Sequence, residues 1–260
     1  MGKTGYSMAL PVLSARPSPD GTLAVVGEVN GTCCSIGGPF FLTAGHVVAS
    51  APAEKGGRLV VGIQGPDGHF KAAEVLEGEQ LPGDLGILKV SFRLYPESET
   101  WLTKIPWSER PLEPFEIVRT IGYPYGMHLV GNEQSIVIRA FQGHVVASLL
   151  KFKPAGISGP PFGVYELSFM APRGLSGALL MNSNGLAAAH GVVIGNSESR
   201  MLVFRSVETE SQGQHSSSYE QYEALSLGIA VTAQEVLSRR SRLLSGTIRE
   251  YLAAQGLLRP

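Results

Sequence analysis

The chain of 260 residues contains only two cysteines, Cys33 and Cys34, and they are neighbours. Because adjacent cysteines rarely bridge each other and there is no third cysteine to pair with, a disulfide framework is excluded and a reducing, cytoplasmic location is predicted. The pair also lacks the further ligands that a zinc site needs. We therefore expect both cysteines to be small buried residues on a strand.

The sequence also lacks an excess of charge and a long hydrophobic run. Its 21 Lys and Arg residues nearly balance its 22 Asp and Glu residues, so no surplus of cations is available to neutralise a nucleic-acid backbone. No apolar run approaches the ~18 residues of a membrane span. The stretch Met1–Leu13 is broken by Pro11, and Lys3 is its only charge, unlike a secretory signal. We expect neither nucleic-acid nor membrane partners.

Helical patterns are scarce through most of the chain, whereas turn residues are abundant, with 32 glycines and 17 prolines. Short apolar segments such as Leu85–Val90 and Gln134–Arg139 recur at intervals of about ten to fifteen residues, with turn signals between them. This spacing predicts an all-β chain of the sandwich or barrel type. The lack of alternating helical segments argues against a parallel βαβ sheet.

Three segments depart from the strand pattern. Ser91–Pro114 contains four prolines and is a candidate link between two halves. Val207–Glu223 is polar and is predicted to be a long loop. From Thr232 the pattern becomes helical, with Thr232 as a cap and Glu235 three residues later. A second short helix is predicted from Thr247 to Leu257.

The first candidate catalytic segment is LTAGHVV, residues 42–48. The small residues before His46 would let its imidazole ring approach a cleft without steric hindrance. A histidine at the end of a strand can equally be structural, so this motif indicates catalysis only in combination with other motifs.

An aspartate supplies the second candidate. The chain has only three aspartates, and Asp20 and Asp67 lie in Pro-Asp-Gly turns, where the side chain serves the turn. Asp84 instead opens the apolar segment PGDLGIL, residues 82–88, where a carboxylate would be partly buried and would need a partner. Taken alone, Asp84 could also be a turn residue that happens to precede a strand.

The third candidate is a serine between glycines, in PRGLSGALL at residues 172–180. The glycines allow the backbone to fold back so that consecutive N–H groups point one way, as an oxyanion hole requires. A Gly-x-Ser-Gly motif also includes Ser158, but two prolines follow it and cannot both serve a central strand. We therefore favour Ser176. It does not fit the α/β-hydrolase elbow, because Ala178 stands where that motif needs glycine.

In this order, the three motifs resemble those of the chymotrypsin-like, trypsin-fold serine peptidases, especially the disulfide-free bacterial branch that includes the HtrA proteases. TAGHV is similar to the family's histidine motif, GDLGIL to its aspartate motif and GLSGAL to its Gly-x-Ser-Gly-Gly-Pro motif. The segments IGYPYG, residues 121–126, and SLGIAV, residues 226–231, resemble the opening of the second barrel and the last strand before the C-terminal helix. The resemblance covers about residues 8 to 245.

The resemblance implies an all-β fold of two six-stranded antiparallel β-barrels with a C-terminal helix. We expect the N-terminal barrel at residues 1–105 to carry the histidine and the aspartate. The C-terminal barrel at residues 106–231 should carry the serine, and residues 232–260 should form a C-terminal helical segment. The stretch after the last strand is too short for a PDZ domain, so a bare peptidase domain is expected.

The resemblance also implies a serine endopeptidase mechanism. Ser176 would attack the peptide carbonyl, His46 would take its proton, and Asp84 would hold the imidazole tautomer. The backbone N–H groups of Gly174, Leu175 and Ser176 would form the oxyanion hole. An acyl-enzyme would then be hydrolysed by water, with no metal or organic cofactor. Secreted digestive members pair an aspartate with a freed N-terminus where this chain has Leu175, so activation by N-terminal cleavage is not expected.

By family position, seven residues are predicted to bind substrate: Met170, Ala171, Val193, Ile194, Gly195, Asn196 and Gly228. Met170 and Ala171 are expected at the floor of the pocket for the residue before the scissile bond. Ile194 to Asn196 should pair with the substrate backbone, and Gly228 should leave the pocket open. A methionine at the floor predicts a medium-sized apolar side chain, and the lack of an aspartate there argues against Lys or Arg.

Two other functions on the same fold remain open, a catalytically inactive peptide-binding or scaffold module and a serine esterase. The predicted partners are a protein or peptide substrate and a regulatory protein. The segment Val207–Glu223, expected beside the pocket, is the candidate for that control.

Overall fold

The computed structural model describes residues 7–18, 23–51, 56–64, 70–91, 102–124, 127–130, 133–153, 159–182, 188–209 and 216–259. The first six strands close into an antiparallel barrel in the order β1-β2-β3-β6-β5-β4. They are β1 (Leu10–Pro17), β2 (Leu23–Gly37), β3 (Phe40–Ala44), β4 (Arg58–Gln64), β5 (Phe70–Leu81) and β6 (Leu85–Val90). The apolar runs at Leu59–Ile63 and Leu85–Val90 lie on strands of this barrel, and their apolar side chains are buried.

Six later strands close into a second antiparallel barrel, because β13 pairs with both β8 and β14. They are β8 (Ile117–Gly122), β11 (Arg139–Phe152), β12 (Phe162–Leu167), β13 (Leu179–Asn182), β14 (Ala189–Thr209) and β15 (Ser216–Thr232). The short strand β7 (Trp107–Ser108) pairs in parallel with β14, and β18 (Leu258–Arg259) pairs in parallel with β7. The strands β9 (Met127–Val130) and β10 (Glu133–Ile136) pair with each other. The predicted all-β fold of two six-stranded antiparallel barrels is confirmed.

Short helices lie at the ends of strands, and the C-terminal ones begin where their caps predict. The helices that the structure describes from end to end are α1 (Gly45–Ala49), α2 (Ala233–Ser238) and α3 (Ile248–Ala254). The strands β16 (Arg240–Ser241) and β17 (Gly246–Thr247) lie between the last two. The Thr232 side chain accepts a hydrogen bond from the Glu235 N–H, and Thr247 and Glu250 form a reciprocal capping box. Within the described ranges, no helix is long and apolar enough to cross a membrane.

The polar segment Val207–Glu223 was predicted to be a long loop, and this prediction is wrong. β14 continues to Thr209 and β15 begins at Ser216, and the two strands pair along this whole length; residues 210–215 lie outside the described residues. Polar composition was a poor guide here, because pairs of side chains across β14 and β15 stabilise the two strands. The Phe204 and Tyr219 rings lie 6.3 Å apart, and Arg205 and Glu220 form an ion pair.

Candidate active site

An aspartate and a histidine of the first barrel make a two-point contact. The His46 backbone N–H donates to Asp84 Oδ1 at 2.8 Å, and His46 Nδ1 lies 2.7 Å from Asp84 Oδ2. An ionised carboxylate can accept hydrogen bonds but cannot donate them, so the neutral His46 ring carries its proton on Nδ1. Its Nε2 is then left free to act as a base. The His46 side chain is 49% exposed whereas that of Asp84 is 12% exposed. The imidazole ring is therefore accessible to solvent while the carboxylate is shielded.

A tight turn before β6 and a glycine at the start of α1 make this contact sterically feasible. Asp84 adopts a φ of 55°, in the left-handed region that aspartate tolerates better than most residues. This conformation turns its carboxylate back toward α1, where the Gly45 N–H donates to the Asp84 carbonyl oxygen at 2.8 Å. A Cβ on Gly45 would lie 3.0 Å from Asp84 Oδ1 and 2.9 Å from the Leu85 oxygen. The small residue before His46 therefore makes room for the aspartate.

The serine loop carries two backbone N–H groups that are open to an oxygen atom. Leu175, Gly177 and Ala178 all donate their N–H groups to backbone carbonyls, at 2.7 to 3.0 Å. Within the part of the chain that the structure describes, the N–H groups of Gly174 and Ser176 have no backbone acceptor. Because the two donors flank Leu175 on one loop, they are the loop's candidates for an oxyanion hole.

Leu175 cannot be the third donor that we predicted. Its N–H donates to the Pro172 oxygen at 2.9 Å, and its side chain lies in the core of the second barrel. This burial holds the serine loop to the barrel. The candidate donors are therefore Gly174 and Ser176 alone.

Thr32 joins the serine loop to the first barrel, and nothing in our sequence reasoning singled it out. Its N–H donates to the Ser176 oxygen at 2.8 Å, and its hydroxyl donates to the Gly174 oxygen at 2.8 Å. The same hydroxyl accepts from the Tyr123 N–H at 3.1 Å, and the Thr43 hydroxyl donates to the Thr32 oxygen at 2.7 Å. Thr32 is fully buried, so these bonds form away from solvent.

Glycines let the two halves approach each other closely. A Cβ on Gly31 would clash with Val47 and lie 2.9 Å from the Ser176 oxygen, and one on Gly177 would clash with the Thr32 oxygen and with Thr43. The serine loop therefore packs directly beside the end of β3 and the start of α1, where His46 lies. The sequence signal for this contact is the Gly31-Thr32 pair within β2.

The structure brings His46, Asp84 and Ser176 to one junction but does not connect all three by hydrogen bonds. The Ser176 side chain is 8% exposed, and its hydroxyl donates to the Ile194 carbonyl oxygen at 3.4 Å. The described hydrogen bonds include none from Ser176 to His46. The competing serine, Ser158, lies outside the described residues.

Two of the residues predicted to bind substrate lie elsewhere than expected. Val193 is fully buried, and its N–H and carbonyl bond to Ala178 and Gly177 at 2.9 and 2.7 Å. It therefore supports the serine loop from behind instead of lining a pocket. Met170 is 56% exposed, so it does not form a pocket floor.

The strand segment from Ile194 to Asn196 has one open edge. β14 pairs with β13 only as far as Val192 and with β7 only at Ala189. Beyond those residues its sole described neighbour is β15. An extended peptide could add to this edge beside Ser176 through backbone hydrogen bonds.

The remaining predicted residues lie together next to the serine loop. Asn196 pairs with Gly228 across β14 and β15, and its side-chain amide bonds to the Ala171 backbone. Gly228 donates its N–H to the Phe169 oxygen at 2.9 Å. As for metals, no group of three His, Cys, Asp or Glu side chains within the described ranges could hold one.

Comparison with known proteins agrees with this architecture. The family model described as "Trypsin-like peptidase domain" matches residues 29–189. The chain is similar to the crystal structure of an inactive serine-to-alanine mutant of Rv3671c from M. tuberculosis H37Rv, with 20% identity and a TM-score of 0.53. The alignment covers 99% of this chain and 90% of that one.

The chain is also similar to the MamO protease domain from Magnetospirillum magneticum in its apo form. The identity is 14% and the TM-score 0.51, over 90% of this chain and 96% of that one. At such low identity these two likenesses show the shared fold. No curated protein sequence matches the chain.

Proposed function

Because the chain belongs to the trypsin-like peptidase family, we propose that it is a serine endopeptidase that uses His46, Asp84 and Ser176. The observation that carries the proposal is the pairing of His46 with Asp84 through two contacts, next to a serine loop with two open N–H groups. Nucleophilic catalysis by serine needs a base, an oriented base partner and an oxyanion site, and these residues can supply all of them.

In the proposed mechanism, Ser176 Oγ attacks the peptide carbonyl and His46 Nε2 takes its proton. Asp84 stabilises the imidazolium that forms, and the N–H groups of Gly174 and Ser176 bind the oxyanion. His46 then passes the proton to the leaving amine, and water hydrolyses the acyl-enzyme. No step calls for a metal or an organic cofactor.

The resting hydroxyl must turn before it can react. It is bonded to the Ile194 oxygen at 3.4 Å, which is long for a hydroxyl donor and therefore weak. The mechanism requires that rotation about the Cα–Cβ bond of Ser176 release this bond, so that the hydroxyl can bond to His46 instead. Contacts of catalytic groups are often loose without substrate and tighten when it binds.

The first experiment is labelling of the purified protein with a fluorophosphonate, read by intact mass. We expect one adduct on the wild type, none on Ser176→Ala and one on the matched control Ser158→Ala. An adduct that persists in Ser176→Ala but is lost in Ser158→Ala would mean that Ser158, and not Ser176, is the nucleophile. No adduct on any variant would favour an inactive peptide-binding module. Turnover of small esters without cleavage of an unfolded protein would favour an esterase.

We also propose that the enzyme works in a reducing compartment, and the cysteines support this. Cys33 and Cys34 are both free and buried, and these are the only cysteines of the chain. A fold built with no disulfide does not depend on an oxidising compartment.

Control of the site is proposed to act through the paired extension of β14 and β15, residues 199–209 and 216–225, which we call the arm. Its strands run directly on from Asn196 and Gly228, and exposed apolar side chains such as Met201 and Tyr219 offer a surface to a regulatory protein. Joining the paired residues Glu198 and Ser226 by an Asn-Gly turn would remove the arm. We expect the peptidase rate to change while Ser176 still labels, and unchanged kinetics would contradict this role.

A further inference from the structure

The side chain of Asn196 spans the space between two segments beside Ser176. Its Oδ1 accepts from the Ala171 N–H at 2.7 Å, and its Nδ2 donates to the Ala171 oxygen at 2.9 Å. One amide group therefore binds both backbone groups of a single residue, as a strand neighbour would. We call this pair of hydrogen bonds the clamp.

The clamp lies where a substrate side chain would have to enter. Ser176 Oγ is bonded to the Ile194 oxygen, and Asn196 is two residues farther along the same open edge of β14. A peptide that places its carbonyl at Ser176 and pairs with this edge would direct the side chain before the scissile bond between β14 and Ala171. The Asn196 amide already occupies that gap.

The space behind the clamp is closed as well. Gly228, the partner of Asn196 on β15, bonds to the Phe169 oxygen at 2.9 Å. A Cβ on Gly228 would clash with that oxygen and would lie 3.5 Å from the Ala171 nitrogen. Gly228 thus serves close backbone approach and does not leave a pocket open, contrary to our expectation.

From these contacts we infer that Asn196 restricts the residue before the scissile bond to glycine, alanine or serine. The inference rests on the proposed peptidase function and replaces the medium-sized apolar preference expected from Met170, which is exposed instead of forming a floor. A larger side chain would have to displace the Asn196 amide. Both Ala171 backbone groups would then lose their partner, at a residue that is 5% exposed.

The same amide explains how the pocket stays shut although Asn196 itself is solvent-exposed. A single hydrogen bond at an exposed position is easily exchanged for water. Two bonds to one peptide segment hold the side chain in a fixed orientation, and its outer face is the exposed part. Asn196 is thus a specificity-determining residue that acts by filling space.

The test is a series of peptides that differ only in the residue before the scissile bond, which is Gly, Ala, Ser, Val, Leu or Phe. For the wild type we expect kcat/KM for Ala to exceed that for Leu or Phe by at least ~10-fold. In Asn196→Ala the order should reverse in favour of Leu or Phe. Asn196→Asp keeps the acceptor for the Ala171 N–H but sets a carboxylate oxygen against the Ala171 oxygen, so an intermediate profile is expected.

Two controls separate the clamp from a general structural effect. Ser197→Ala changes the next residue of β14, whose side chain faces the other way, and should leave the profile unchanged. Hydrogen exchange of the Ala171 amide, read on the intact protein, should be protected in the wild type and faster in Asn196→Ala. This second readout does not depend on catalysis.

Each outcome separates the inference from the function on which it rests. Persistent fluorophosphonate labelling of Ser176 with an unchanged profile in Asn196→Ala would overturn the inference and leave the peptidase proposal standing. A wild-type preference for Leu or Phe, or an even loss across the whole series in Asn196→Ala, would overturn it as well. No labelling in any variant would overturn the peptidase proposal and this inference with it.

Discussion

The two halves of the site differ in what holds them in place. The His46 half is built within one barrel, where a turn and a five-residue helix bring Asp84 onto His46 through two short contacts. The Ser176 half depends on the other barrel for its position, through Thr32, and its hydroxyl is bonded away from the base. The proposed base is therefore preorganised locally, whereas the proposed nucleophile depends on tertiary contact between barrels.

The largest effect is expected from breaking the His46 half. Asp84→Asn keeps the shape of the side chain but presents an N–H₂ or a neutral oxygen to His46 Nδ1, so the productive tautomer is no longer enforced. We expect kcat to fall by roughly 10⁴-fold with little change in KM. A stopped-time peptide assay measures both constants, and a loss below ~10-fold would mean that this half is not the preorganised one.

A smaller effect, specific to the Ser176 half, is expected from Thr32→Val. The change keeps the β-branched shape but removes the Thr32 hydroxyl. The Gly174 oxygen and the Tyr123 N–H then both lose the hydrogen bond that this hydroxyl makes. We expect a loss of stability of about 1–3 kcal/mol and a fall in kcat larger than the rise in KM. Urea unfolding and steady-state kinetics measure the two effects.

Thr32→Ser is the matched control, because it restores the hydroxyl. Recovery of kcat with Ser would place the effect on the serine loop. Equal losses in both variants would show that packing, and not the hydroxyl, positions the nucleophile.

Acid should weaken the second barrel through a buried histidine. His190 is 1% exposed, its Nδ1 lies 3.0 Å from the Arg110 oxygen, and burial lowers its pKa. Below about pH 6.5 His190 binds a proton in the unfolded chain but remains neutral in the folded chain. The free energy of unfolding therefore keeps its full value above that pH and decreases below it. Urea unfolding at pH 7.5 and 5.5 tests this, and His190→Gln should flatten the difference.

A second acid transition should follow from Glu116. The bidentate contact with Arg110 lowers the pKa of Glu116 to about 2, so its stabilising effect is present at neutral pH and is lost as the pH falls from about 4.5 toward 2. Glu116→Gln should remove this part of the acid dependence. If the free energy of unfolding of the wild type does not change between pH 4.5 and 3, the ion pair does not stabilise the barrel.

The smallest effect is expected from the cysteines beside Thr32. Burial raises the pKa of the Cys34 thiol to about 12 and that of Cys33 well above its ordinary value, so neither forms the reactive thiolate at neutral pH. A thiol-blocking reagent should leave peptidase activity unchanged and should react only after unfolding. Rapid labelling of the native protein would mean that β2 opens at the junction of the barrels.

Much of the local structure could be predicted from short-range signals. Thr232 and Thr247 act as helix caps because the hydroxyl and the N–H that it accepts from lie three residues apart. Asp84 could be separated from Asp20 and Asp67 because only its surroundings would bury a carboxylate. The segment Val207–Glu223 was predicted to be a loop, but pairing between distant strands outweighs its polar composition.

The details of the site could not be predicted in the same way. Which N–H groups of the serine loop are open depends on where Pro172 and Val193 offer carbonyls. Whether Met170 forms a floor or faces solvent depends on how its segment packs against β15. Such facts involve groups far apart in the chain, so residue type does not reveal them.

By itself, the sequence determined the strand-rich architecture and the helix caps, because these depend on periodicity and turn chemistry. It also made His46, Asp84 and Ser176 candidates, through short motifs that resemble those of a known family. Only the tertiary structure decided that Thr32 bonds to the serine loop, that the Leu175 N–H is bonded to the Pro172 oxygen and that Asn196 binds the Ala171 backbone. The physical reason is that hydrogen bonds and close packing between separate strands are set by three-dimensional proximity, which the two closed barrels create.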